Sequence, residues 1–154
     1  MTRVCLVGKD DLDLRYELLS RETAREALAT YDLAAPYENT VALVTISLGS
    51  AVALLNDLNW YLVRFAEAAW VLEPSVSESE WLSRDLATAI RDDEVSPAAS
   101  DRYLRMYGVV ETDGARRLVD PMFVARTGRS LPEYDLREVD DTVLVRVTES
   151  EFGA

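Results

Sequence analysis

Apolar positions near the N-terminus come in short unbroken runs. Val4-Cys5-Leu6-Val7 is apolar throughout and stops at Gly8, the pattern of a strand covered on both faces. Val41-Ala42-Leu43-Val44-Thr45-Ile46-Ser47 repeats it with more β-branched residues and predicts a central strand. Between the two runs, Ser20 to Tyr31 is rich in helix formers and predicts a helix. Residues 13–19 fit two templates. Leu14, Tyr16 and Leu18 alternate with Arg15 and Glu17 as in a strand, whereas Leu12, Tyr16, Leu19, Thr23, Ala27 and Tyr31 share one helical face. Both readings stay open.

Further along, the helical period dominates. Gly49-Ser50 opens a predicted helix to about Phe65, with Leu54, Leu58, Tyr61, Leu62 and Phe65 inward. Ala69 to Leu72 suits a short strand. Ser77-Glu78-Ser79-Glu80 has capping-box spacing and predicts a helix over 78–91. Ser96-Pro97 predicts another, from Pro97 to Tyr107, stopped by Gly108. Asp113-Gly114 lies between Val109–Thr112 and Ala115–Val119, a hairpin signal. Residues 120–141 read as irregular, and Thr142 to Thr148 as a last strand. Early strand–helix alternation favours an α/β layer with some parallel pairing. The expected fold is therefore α/β or α+β: one domain over 1–154 with a mixed sheet, a C-terminal helix pair and a hairpin. Sub-lobes at 1–75 and 76–154 are conceivable, each marginal in size.

Composition changes this picture mainly at the surface. Of 154 residues, 49 % are hydrophobic, enough for one real core. Sixteen basic residues face twenty-eight acidic ones, no His is present, and the net charge is -12. Only Lys9 among the basic residues is a lysine. Such a chain repels itself in dilute buffer, whereas at molar salt the Debye length falls to roughly 3 Å and screens the repulsion. Arginine also locks carboxylates bidentately, which lysine cannot. The composition points to a salt-rich cytoplasm. No secretion-type leader is expected, because the short apolar run to Gly8 is followed by Lys9-Asp10-Asp11 and no cleavage-type region, and no membrane span, because the longest uncharged stretch, Asn39 to Asn56, is broken by Gly49 and Ser50. The negative charge argues against sequence-independent binding to nucleic acid or anionic membrane.

Together with this composition, the run Leu54-Leu55-Asn56-Asp57-Leu58-Asn59-Trp60-Tyr61-Leu62-Val63-Arg64-Phe65 and the stretch Glu73-Pro74-Ser75-Val76-Ser77 carry a resemblance. The chain resembles small uncharacterised acidic proteins of halophilic archaea, a domain of unknown function. The resemblance covers most of the chain. It implies a halophilic cytoplasmic protein and transfers no catalytic residue.

Candidate chemistry is sparse. Without His and with the single Cys5, the usual zinc, haem and iron–sulfur ligand sets and the Ser-His-Asp triad are out of reach within one chain, and no cofactor is expected. Cys5, inside an apolar run, reads as a buried structural thiol. Asp10, Asp11 and Asp13 follow the first strand, where carboxylates can hold a divalent ion, and Glu73 could complete such a site. The competing reading is a hydrated acidic loop. Asn56, Asn59, Trp60 and Arg64 fall on one face of a helix and combine amide, indole and guanidinium groups, as recognition surfaces do. The competing reading is the edge of a core helix.

Charge distribution supplies a third candidate. Residues 96–137 hold seven Arg and six acids, against eight basic and seventeen acidic residues in 1–95. Arg102, Arg105, Arg116, Arg117, Arg126 and Arg129 therefore stand out, and two helices followed by a hairpin over 78–119 have the order of a winged helix-turn-helix. The competing reading is that these arginines pair with the protein's own carboxylates. The chain is read first as a non-catalytic binding or accessory module with a protein partner or self-association. A nucleic-acid-binding regulator is second, and a metal-dependent phosphate-handling enzyme third.

Overall fold

A computed structural model describes residues 1–127 and 140–152. The strands are β1 (Thr2–Gly8), β2 (Thr40–Thr45), β3 (Ala66–Leu72), β4 (Trp81–Ser83), β5 (Tyr103–Thr112), β6 (Ala115–Ala125) and β7 (Asp141–Arg146). The helices are α1 (Leu14–Leu19), α2 (Glu22–Leu28), α3 (Leu48–Asp57), α4 (Asn59–Phe65) and α5 (Arg84–Arg91). The strands form one seven-stranded mixed sheet in the order β2-β1-β3-β4-β7-β5-β6. The fold is single-domain α+β.

β1 lies between β2 and β3 and is antiparallel to both. Its alternate residues feed two cores. Val4 and Leu6 join the helix-covered core with Leu14, Leu18, Leu55, Leu58 and Leu86. Cys5 and Val7 face the other way, to Trp70, Tyr107, Val109, Val143 and Val145. That second core exists because the sheet curls over itself. The Glu38 amide, just before β2, donates to the Arg116 carbonyl of β6 at 2.7 Å, tying the two margins of the sheet together. Burial on both faces is why the Val4–Val7 run carries no polar alternation.

Several expectations change. The residues at 13–19 are helical: the Asp13 carboxylate caps α1 by accepting the Tyr16 amide. Helix 49–65 is broken at Leu58 (φ -90°, ψ 3°) into α3 and α4, because Leu58 turns fully into the core. β2 is an edge strand, not a central one, and Val44 and Ile46 are exposed. The capping-box segment does not start a helix. Ser77 Oγ does accept the Glu80 amide at 3.0 Å, but Trp81–Ser83 then pairs with β3 and β7. The helix begins after Ser83, whose hydroxyl accepts the Leu86 amide at 3.2 Å. It ends at Arg91, as the sequence predicts: Asp93 takes φ 60°, and the Glu94 amide reaches the Ala89 carbonyl, closing the helix end.

The second helix of the expected C-terminal pair is absent. Pro97–Ala99 is a short 3₁₀ turn, and Tyr103–Tyr107 belongs to β5. Its alternating residues decide this: Leu104 and Met106 pack with Val124, while Tyr107 and Val109 enter the inner core. Among the described residues parallel pairing is confined to β4–β7, and β1 pairs antiparallel with both β2 and β3. The Asp113-Gly114 turn is where the sequence put it, with both residues at positive φ (53° and 81°), as a two-residue hairpin turn demands.

Candidate functional site

The short helix α4 carries an exposed tryptophan. Trp60 is 48 % exposed and Val63 64 %. Arg64 lies one turn on. Its guanidinium sits 3.7 Å from the Trp60 ring centroid, and its Nη1 donates to the Trp60 carbonyl at 2.8 Å. Arg21, from the start of α2, also approaches, 5.8 Å from Trp60 and 4.8 Å from Phe65. Tyr61 and Phe65 meet the Trp60 ring edge-on at 5.1 and 6.3 Å. The indole is therefore held in a fixed pose by two cations and two aromatic edges, with part of its surface left to solvent.

Asn56 and Asn59 are spent differently. Arg84 of α5 donates Nη1 to Asn59 Oδ1 at 2.8 Å and Nη2 to Asn56 Oδ1 at 3.2 Å. The two amides flank the Leu58 break and tie it to α5. So the structure keeps Trp60 and Arg64 together on a surface and assigns Asn56 and Asn59 a clamping contact within the fold.

The arginine group does not form one patch. Arg116 and Arg117 lie near the hairpin, and Arg102 and Arg126 near the far end of the same two strands. Eight strand residues separate the two ends, about 27 Å. Arg126 is bound inward. Its Nη2 donates to Glu80 Oε2 at 2.8 Å and its Nη1 to the Asp101 carbonyl at 3.0 Å. Arg146, which the sequence did not single out, donates Nε to Glu80 Oε1 at 2.8 Å and Nη1 to Ser100 Oγ at 3.0 Å. Burial pushes the Glu80 carboxyl up, but the hydrogen bonds and charges of Arg126 and Arg146 outweigh it and hold the group below its ordinary value. Arg116 pairs with Asp141 at 3.2 Å and lies over Tyr37. Arg102 lies over Tyr103. Arg129 falls outside the described residues. The winged-helix order also lacks its recognition helix, because residues 103–107 are strand.

The proposed metal ligands are at opposite ends of β1. Asp10 and Asp13 follow its C-terminal end, whereas Glu73 accepts the Thr2 hydroxyl at its start, at 2.7 Å. Six strand steps, about 20 Å, lie between. The sites part because β3 runs antiparallel to β1, not parallel as the sequence implied. Asp13 is occupied as a helix cap. Among the described residues no group of three or more Cys, Asp or Glu is placed to hold a metal ion.

Cys5 is fully buried, and burial pushes its thiol up to about 12, so it is an inert packing group. Among the described residues no helix is long and apolar enough to cross a membrane. Taken together, the molecule is an α+β protein with a curled mixed sheet and an aromatic–arginine surface on a short helix. The chain belongs to a family of unknown function (DUF5804), which it matches over residues 2–109. The match takes in α4 and its surroundings and ends inside β5. No curated protein and no solved structure matches the chain.

Proposed function

We propose that the protein is a non-catalytic binding module of a salt-rich cytoplasm and that it docks a protein partner through the Trp60–Arg64 face of α4. One observation carries the reading: Trp60 is pre-positioned under Arg64 while half its surface stays open. A large aromatic with little rotamer freedom left loses little entropy on binding, and Trp with Arg is the pairing favoured at interface anchors. The adjacent exposed Val63 widens the apolar contact. Arg64 makes no ion pair with a carboxylate among the described residues. The partner that fits offers an apolar recess for the indole and a carboxylate beside it for Arg64.

The test is affinity capture at molar potassium chloride with wild-type and Trp60→Glu baits. Circular dichroism should be the same for both, since the site is at the surface. A protein retained by the wild type and lost with Trp60→Glu supports the reading. Identical capture by both baits overturns it. Truncating an interface anchor of this kind weakens association by about 2 kcal/mol or more.

A further inference from the structure

Arg105 is a charged side chain on the inner face of β5. Alternation places it between Tyr103 and Tyr107, on the side that turns toward Trp70. Its guanidinium lies 5.1 Å from the Tyr107 ring and 5.5 Å from the Phe123 ring. No carboxylate pairs with it among the described residues. A charge set among apolar residues without a counter-charge is costly unless something else completes it. The Tyr107 hydroxyl engages part of the guanidinium's N–H edge, and the rest of that edge is left for a carboxylate.

That edge borders a cleft of about 260 Å³ between the curled sheet and the helices α4 and α5. The volume is below the roughly 300–1,000 Å³ of drug-sized sites and suits a small metabolite. Ala68, Trp70, Val145 and Val147 supply apolar lining. The charged lining is mixed: Glu67, Asp85 and Glu151 with Arg84 and Arg105. Arg84 already holds Asn56 and Asn59, and Glu151 accepts from Ser83 and from the Thr148 amide. Glu67 and Asp85 remain as exposed acids without an ion pair among the described residues. A bare carboxylate would meet three negative charges here, on a protein already at -12. A molecule carrying an ammonium next to its carboxylate would satisfy both signs.

We propose that this cleft binds a small zwitterion with an apolar or aromatic body, the size of an apolar α-amino acid. Arg105 takes the carboxylate, Glu67 takes the ammonium, and the Trp70–Val145–Val147 lining takes the body. The proposal is independent of the Trp60 surface. It is tested by calorimetry on the full chain in molar potassium chloride with three probes: L-phenylalanine, 3-phenylpropionate without the ammonium, and phenethylamine without the carboxylate. L-phenylalanine is expected to bind, each single-charge analogue at least about tenfold more weakly, a difference of about 1.4 kcal/mol. Arg105→Gln and Glu67→Gln should each weaken L-phenylalanine by a similar factor. Glu67 is exposed, so Glu67→Gln keeps the test valid if Arg105→Gln does not fold. No heat and no ligand-detected NMR transfer with L-phenylalanine up to about 10 mM would overturn the proposal. So would equal affinity for 3-phenylpropionate, or undiminished binding by Glu67→Gln.

Discussion

At the residue scale, Gly8 and Asn39 fit closely against each other. Asn39 takes φ 57°, which asparagine tolerates better than most residues. From there its Oδ1 accepts the Leu14 amide at 2.9 Å and its Nδ2 donates to the Lys9 carbonyl at 2.8 Å. It thereby helps cap α1 and secures the loop after β1. A Cβ on Gly8 would come within 2.6 Å of Asn39 Nδ2. Gly8→Ala is expected to cost about 1–3 kcal/mol in urea unfolding, as other overpacked sites do. The double variant Gly8→Ala/Asn39→Gly should lose less than the sum of the two single changes, because the clash then has no partner.

Glu80 is the second such residue. Its carboxyl is held below the ordinary value of about 4.3, so its bonds to Arg126 and Arg146 stabilise the fold above that pH. That contribution is lost as pH falls through the lowered value in the folded state. Glu80→Gln leaves the largely buried Arg146 without a counter-charge and Arg126 with only the Asp101 carboxylate at 3.9 Å, and a loss on the order of 3 kcal/mol is expected near pH 7. The difference between wild type and variant should shrink as unfolding is followed below about pH 4. A constant difference across that range would show that the charge of Glu80 is not what holds these arginines.

At the element scale, the same capping chemistry occurs twice before α5 but only one instance starts a helix. Ser77 accepts amides from Ser79 and Glu80 in a turn, and Ser83 accepts the Leu86 amide. Local capping signals could not choose between them. The choice falls to Trp81 and Leu82, which pair with β3 and β7, and to Glu80, which is claimed by Arg126 and Arg146. Ser83 also donates to Glu151 at 2.6 Å. Ser83→Ala should therefore cost about 1–2 kcal/mol by thermal unfolding, and Ser77→Ala clearly less. A similar conflict explains residues 97–107. Pro97 begins a helical turn, but alternation at 103–109 fits the sheet, and Gly108 sits at a register shift inside β5, not at a helix end.

At the scale of the whole molecule, charge and curvature set the terms. Excess carboxylates cover a sheet whose margins are tied by the Glu38–Arg116 hydrogen bond, while Arg116 also pairs at the surface with Asp141 of β7. The protein is expected to lose cooperative folding, or to expand, as potassium chloride is lowered from molar to about 10 mM, where the Debye length reaches about 30 Å. Circular dichroism and hydrodynamic radius measure this directly. A chain that stays compact and cooperatively folded at low salt would remove the argument for a salt-rich setting.

The strand at 2–8, the Asp113-Gly114 turn, the last strand, the α+β class and the inert Cys5 were legible in the sequence. Each rests on local chemistry: a buried apolar run, two residues that accept positive φ, a thiol among apolar neighbours. The exposed Trp60–Arg64 pair was also visible, since residues four apart on a helix must meet. What the sequence could not decide were the partners of strands and charges. Pairing direction put Glu73 at the opposite end of β1 from Asp10 and Asp13, and alternation in β5 turned Arg105 inward. The meeting of Glu80 with Arg126 and Arg146 spans up to sixty-six positions. Such contacts depend on how the sheet curls, and no local pattern of residues encodes which distant side chain will arrive.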